Sequence, residues 1–284
     1  MLGEDEGSAG RVSWLAVRVN AGDARDAALA ALFELGSLGV QEVGDELVTH
    51  FPDDVEASAV VGAVQRAAPG STVATSHVAA VDWSEEWKQG VRAHDLGALS
   101  IVPPWLAASR DPACTVVIEP EMAFGTGEHE TTRGVVRLLP DLVRPGDRAA
   151  DLGAGSAVLA IAAAKLGAGH VVAIELDHDA IGNAEENVAR NAVEDRVTVI
   201  EGDAALLLPL VAPLRVVLAN ILSSVLLELL PAIRSALTTD GEAILSGILL
   251  DERATMLAAL ARDGWRVVAE DVEGAWWTVR IARS

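Results

Sequence analysis

The residues best suited to chemistry in this 284-residue chain fall in three short segments. The first is DLGAGSA, residues 151–157, which follows an apolar run and precedes an apolar helical pattern. Gly153 and Gly155 permit a tight turn and let a ligand approach the backbone, and a helix opening there presents unsatisfied N–H groups. Glu175 ends the next apolar run, 22 residues beyond Gly153. A nucleotide-type site places a carboxylate at that distance to accept hydrogen bonds from ribose hydroxyls. Asp203, in EGDAA after the third run, suits either an adenine amino group or a plain turn, and Asp177 reads as a helix N-cap.

The second segment is IEPEMAFGTGEHETT, residues 118–132, so rich in Gly, Thr and acids that a long functional loop is expected. Phe124 suits an apolar part of a ligand, and the hydroxyls of Thr126 and Thr132 suit its polar end. His129 is either a site residue or a bystander on the loop, and the sequence leaves both open. No metal is expected, because no second His or Cys stands at ligand spacing. The third segment is LANILSS, residues 218–224, where Asn220 ends an apolar strand. Its amide either orients a substrate amine or satisfies backbone groups.

A dinucleotide fingerprint closes with a third glycine, but position 158 is Val158, so the loop lacks a pyrophosphate seat. A sulfonium cofactor carries no phosphate and needs none. The pattern therefore favours S-adenosylmethionine over a nicotinamide dinucleotide.

These segments need a frame to hold them, and the hydrophobic periodicity supplies one. From Arg148 onward short apolar runs alternate with helical stretches: strands at 148–152, 170–175, 196–200, 215–219 and 242–246, helices at 156–166, 179–190, 222–236 and 251–262, and a final strand pair at 265–270 and 276–282. Repeated βα units imply a mainly parallel sheet covered on both faces, a Rossmann-like α/β domain over 100–284. Residues 11–81 read βαββαβ, a small ferredoxin-like α+β domain, with strands near 12–19, 40–43, 46–51 and 71–81 and helices near 23–35 and 54–68. A tryptophan-bearing linker, 82–99, joins the two.

Half the chain is apolar, 22% is charged, and the formal charge is −21. Such a surface disfavours sequence-specific or general nucleic-acid binding and accommodates a basic partner. The single cysteine, Cys114, has no internal disulfide partner, and MLGEDEGSAG lacks the features of a signal peptide, so a cytoplasmic protein is expected. Leu206 to Ile233 is apolar but broken by Pro209, Pro213, Arg215, Asn220, Glu228 and Pro231, so no membrane association is expected.

Nearly the whole chain resembles the bacterial methyltransferases of ribosomal protein L-eleven (L11). The resemblance rests on DWSEEW (82–87), PPW (103–105), AFGTGEHETT (123–132), DLGAGSAVLAIAAAKLGA (151–168), the acidic pair at 175 and 177, ANIL (219–222) and SGIL (246–249). It implies a class I S-adenosylmethionine-dependent N-methyltransferase acting on the N-terminal α-amine and lysine side chains of L11. It further implies that Thr132, Gly153, Glu175 and Asn220 contact the cofactor, that Phe124 and the loop Gly125, Thr126 and Gly127 close over it, and that the N-terminal domain recognises the substrate. A monomer is expected. Two positions depart from the family pattern: Ala157 stands for the usual third glycine of the motif, and Glu175 for an aspartate. The alanine is expected to sit in helical backbone on the first turn.

Overall fold

The computed structural model describes residues 13–37, 39–52, 54–79, 91–120 and 125–284. Phe124 and the DWSEEW segment of the linker lie outside the described residues. The chain divides into two compact units, Met1–Gly90 and Val91–Ser284.

In the first unit the elements run β1 (Ser13–Asn20), α1 (Arg25–Glu34), β2 (Gln41–Val43), β3 (Glu46–Pro52), α2 (Ala57–Ala67) and β4 (Thr72–Ala79). The sheet order is β2-β3-β1-β4, with every pair antiparallel. Strand alternation explains the central strand: Leu15, Val17 and Val19 are fully buried on one face. Against them pack Leu32 of α1 and the i, i+4 pair Val60 and Val64 of α2.

The second unit opens with a three-stranded sheet, β5 (His94–Asp95), β6 (Ser100–Val102) and β7 (Thr115–Val117), which the sequence does not announce. Helix α3 (Glu130–Leu138) follows. The expectation of an irregular loop through 132 is corrected here: His129 caps the helix and Thr132 lies on its first turn. The main sheet comprises β8 (Arg148–Leu152), β9 (His170–Glu175), β10 (Val197–Glu201), β11 (Leu214–Asn220), β12 (Leu237–Leu249), β13 (Trp265–Glu273) and β14 (Trp276–Arg283). Between them run α4 (Val158–Lys165), α5 (His178–Arg190), α6 (Ala204–Val211), α7 (Ser223–Ala236) and α8 (Arg253–Arg262).

The strand order is β10-β9-β8-β11-β12-β14-β13. The first five strands are parallel and doubly wound, while β14 runs antiparallel between β12 and β13. Successive residues of the central strands serve opposite faces. Val171, Ala173, Val216 and Leu218 pack into a core with α4, and Val172, Ile174, Val217 and Ala219 pack into a second core with α7. Burial on both faces is why these strands read as unbroken apolar runs rather than alternating ones. The order reverses between β8 and β11, and in open α/β sheets the crevice beyond the carboxyl ends at such a point is where ligands bind. Asn220 is the last residue of β11, and Gly153 follows β8 directly.

Candidate functional site

The turn after β8 is held by its own backbone. The N–H groups of Gly153 and Ala154 both donate to the carbonyl of Ile174, at 2.9 and 3.1 Å, and that of Gly155 donates to Glu175 Oε2 at 2.7 Å. Gly153 and Gly155 have φ of 68° and 52°, a region that suits glycine. A Cβ at Gly153 would stand 2.5 Å from Cγ2 of Ile221, so side-chain-free backbone is required for the turn after β11 to come this close. These three N–H groups of the turn are thus satisfied inside the protein.

Ala157 corrects the sequence reading. It is the N-cap of α4, with φ 61° and ψ 19°, left-handed rather than helical backbone. This geometry explains why glycine would serve there, at a cost to an L-residue of about 1–2 kcal/mol. The alanine methyl is fully buried. Its burial returns about 0.8 kcal/mol, and the stiffer unfolded chain returns a further ~0.4–1 kcal/mol. Ala157→Gly is therefore expected to change unfolding free energy by no more than about 1 kcal/mol in either direction, as urea denaturation would measure. A larger shift would contradict the balance.

Asp151, also in the motif, is fully buried beneath α4, with Oδ2 accepting from the N–H of Ala160 at 3.0 Å and Oδ1 without a partner among the described residues. Burial raises its pKa from 3.8 to about 8 against the lowering effect of that N–H, and the charge of Glu175 adds to the rise. The folded chain thus holds a proton that the unfolded chain has lost, and the group's contribution to stability drains away as pH rises from about 4 to about 8. Asp151→Asn keeps an acceptor for Ala160 and removes the titration. Its unfolding midpoint should depend less on pH across that window than that of the parent, and an unchanged slope would clear Asp151 of the effect.

A cavity of about 530 Å³ opens at the carboxyl edge, bounded by Gly153, Glu175, Asp203, Ile221 and apolar residues including Ile174 and Leu176. It therefore gathers three of the residues singled out in the sequence. Glu175 accepts from the N–H groups of Gly155, Leu176 and Asp177, leaving about one of its four lone-pair positions open. One more hydroxyl can bond to it as it stands, and two would need a shift in the side chain. Asp203 caps α6 through the N–H of Ala205 at 2.8 Å, and Asp177 caps α5 as the sequence suggests. No Lys or Arg is among the residues described as lining this cavity.

Asn220 and Thr132 meet. The Asn220 amide donates to Thr132 Oγ1 at 3.4 Å, and Thr132 is fully buried. That contact turns the NH₂ end inward and leaves Oδ1 as the acceptor. A second pocket of about 240 Å³ adjoins Asn220, walled by His129, Ile221, Leu222 and Trp276. Ile221 and Leu222 line both cavities. The turn they form is gripped from the far side as well: a Cβ at Gly247, whose φ is 83°, would stand 2.3 Å from the carbonyl oxygen of Ile221.

The loop before α3 is tied down at several points. Gly125 accepts from the Ser156 hydroxyl at 2.9 Å, Thr126 Oγ1 lies 3.5 Å from the N–H of Glu128, and Gly127 packs so tightly on Ile101 that a Cβ would approach it to 2.7 Å. None of the three is among the residues lining either cavity. Nδ1 of His129 accepts from the N–H of Thr131 at 3.3 Å and lies 2.8 Å from the Thr131 hydroxyl. Arg133 grips Glu273 through Nε and Nη2, at 3.0 and 2.6 Å, and Arg137 reaches both Asp271 and Glu273. The Arg133 hydrogen bond is the main cause of a lowered Glu273 pKa, opposed by partial burial. The Ser246 hydroxyl bonds the Thr131 carbonyl and the Thr278 hydroxyl. In sequence, Arg133, Arg137, Gly247 and Trp276 carried no sign of this role. No cluster of metal-ligating residues occurs among the described residues, and no described helix is long and apolar enough to cross a membrane.

Residues 14–284 match the family model described as "Ribosomal protein L11 methyltransferase (PrmA)". A ribosomal protein L11 methyltransferase of Thermus thermophilus is 36% identical, with 92% of this chain and 96% of that protein covered. One from Chloroflexus aurantiacus is also 36% identical, over 81% of this chain and 80% of that one. The crystal structure of a ribosomal protein L11 methylase from Lactobacillus delbrueckii subsp. bulgaricus superposes with a TM-score of 0.60 at 32% identity, covering 68% of this chain and 98% of that one.

Proposed function

This chain belongs to the ribosomal protein L11 methyltransferase family, and from that premise we propose that it transfers methyl groups from S-adenosylmethionine to the N-terminal α-amine and lysine side chains of L11. The observation carrying the proposal is the pair of cavities that share Ile221 and Leu222, with Asn220 beside them at the sheet's switch point. The larger has the size of a small-molecule site, acidic groups for hydroxyls and an amino group, and, among the described residues, no basic side chain for phosphate. These features suit S-adenosylmethionine, for which Gly153, Gly155, Glu175, Asp203, Thr132 and Asn220 are the contacts, with Phe124 and residues 125–127 over it.

Bound there, the cofactor supplies an already activated methyl group. The protein's task is then to hold an uncharged amine in line and keep water out, and orientation of this kind can carry much of the acceleration. Asn220 Oδ1 accepts a hydrogen bond from the amine nitrogen, leaving the nitrogen lone pair to point at the methyl. Thr132 fixes that amide. Among the described residues lining the smaller pocket no carboxylate occurs, and we take the amine's proton to pass to water.

The first unit, with its antiparallel β2-β3-β1-β4 order, we read as a ferredoxin-like domain over 11–81 that recognises L11. Of the expected linker, 82–99, the residues from Val91 onward belong to the second unit, where β5 pairs with β6, so we take the methyltransferase domain, expected over 100–284, to begin at Val91. The acidic surface suits a basic protein partner, and we expect a monomer acting in the cytoplasm. The test is a mass spectrum of L11 after incubation with the full chain and S-adenosylmethionine. Added methyl groups at the N-terminus or at lysines are expected, and an unmodified L11 at long times would overturn the reading.

A further inference from the structure

The described part of the loop before α3 runs through Gly125, Thr126, Gly127 and Glu128, and of these four only Glu128 carries a charge. It is not among the residues described as lining either cavity. Its Oε1 accepts from the backbone N–H of Arg92 at 3.0 Å and stands 3.0 Å from Nε2 of His94, the first residue of β5. The neighbouring Gly127 packs on Ile101 of β6, and Ile101 is the register partner of His94. Two successive loop residues therefore rest on two paired residues of the small sheet. From the other side Arg133 of α3 donates through Nη1 to the carbonyls of Gly127 and Glu128. Partial burial alone would raise the Glu128 pKa, but the Arg92 N–H, the His94 ring and Arg133 together hold it below the usual carboxylate value.

The sheet of β5, β6 and β7 contributes no residue to the described lining of either cavity, yet it carries this loop. Gly125 and Gly127 have φ of 107° and 91°, and glycine backbone is free enough that fixing it over a ligand costs entropy. A tether formed beforehand removes part of that cost from binding. Resting on the proposed function, in which residues 125–127 lie over the cofactor, we infer that Glu128 is a positioning residue for S-adenosylmethionine: tied to Arg92 and His94, it holds the loop in the covering position. It acts through the loop and not on the reacting atoms. The alternative is a tether that serves the fold alone, and the two differ in which constant moves.

Glu128→Ala removes both contacts, Glu128→Gln keeps an acceptor for the Arg92 N–H without the charge, and His94→Ala removes one partner. The Glu128 side chain is 40% exposed, so solvent screens the pair and the expected loss of calorimetric affinity for S-adenosylmethionine in Glu128→Ala is about three- to tenfold. Glu128→Gln should lose less. KM for the cofactor should rise in step, while kcat at saturating cofactor and L11 stays within about twofold. The Glu128→Ala, His94→Ala double variant should bind no more weakly than Glu128→Ala, because both substitutions cut one tether. Amide exchange at residues 125–128 with S-adenosylhomocysteine bound should quicken in Glu128→Ala. Unchanged cofactor affinity in Glu128→Ala would overturn the inference, and so would fully additive losses in the double variant. A fall in kcat and in the urea midpoint with KM unmoved would also overturn it, leaving a tether that serves the fold alone. A parent protein that binds S-adenosylmethionine but never methylates L11 would instead refute the proposed substrate and leave the role of Glu128 standing, whereas one that binds no S-adenosylmethionine would refute both.

Discussion

Asn220→Ala should lower single-turnover methyl transfer to L11 by a factor on the order of 100, the scale of a positioning loss. The stability cost should be no more than about 1–2 kcal/mol, because the residue ends a strand and makes one long side-chain bond, to Thr132. Removing the amide deletes the acceptor beside the smaller pocket and frees the Thr132 hydroxyl, but leaves the sheet pairing of β11 intact. Cofactor affinity should also fall, so the measurement is made at saturating S-adenosylmethionine and L11, with urea unfolding alongside. A rate within a fewfold of the parent would remove Asn220 from the chemistry. A collapse of stability would make it a structural amide.

Gly247→Ala should do more damage from farther away. Gly247 sits where the pairing of β12 with β14 shifts register between Leu245 and Ile248, and bulges of this kind re-aim neighbouring groups. Its φ of 83° charges an alanine about 1–2 kcal/mol, and the new methyl would fall 2.3 Å from a backbone oxygen rather than a yielding side chain. Together these should cost about 2–4 kcal/mol. The Ile221 turn must move, and it carries walls of both cavities, so transfer should fall by about 100-fold or more. Denaturation and single-turnover assays on the folded fraction check both halves. A protein of parental stability and rate would show that the turn is not gripped between Gly153 and Gly247.

What the sequence disclosed follows the range of the forces involved. The βα alternation, the Asp177 cap and the positions of Glu175 and Asn220 at strand ends were legible because each is set by residues a few positions away. Thr132 looked like part of a loop because Gly, Thr and acid composition hid a helix whose cap is a histidine, not one of the commonest capping residues. Ala157 looked helical because nothing local marks a left-handed angle on an alanine; the surrounding turn imposes it. Arg133 and Arg137 carried no sign of a role because their carboxylate partners lie more than 130 residues away. Trp276 and Gly247 bear no reactive group, so only the folded surface gives them meaning.

The place of β14 has a consequence for how the molecule is made. Translation delivers the chain from its N-terminus, yet β14 lies between two strands synthesised before it. The walls of the larger cavity, from Gly153 to Leu229, emerge first. The outer edge of β12 must then wait, and β13 with it, until residues 276–283 arrive to bridge them. The acidic partners of Arg133 and Arg137 and the Trp276 wall are delivered in the same late interval. A nascent chain thus completes the walls of the larger cavity before Trp276 closes the smaller one.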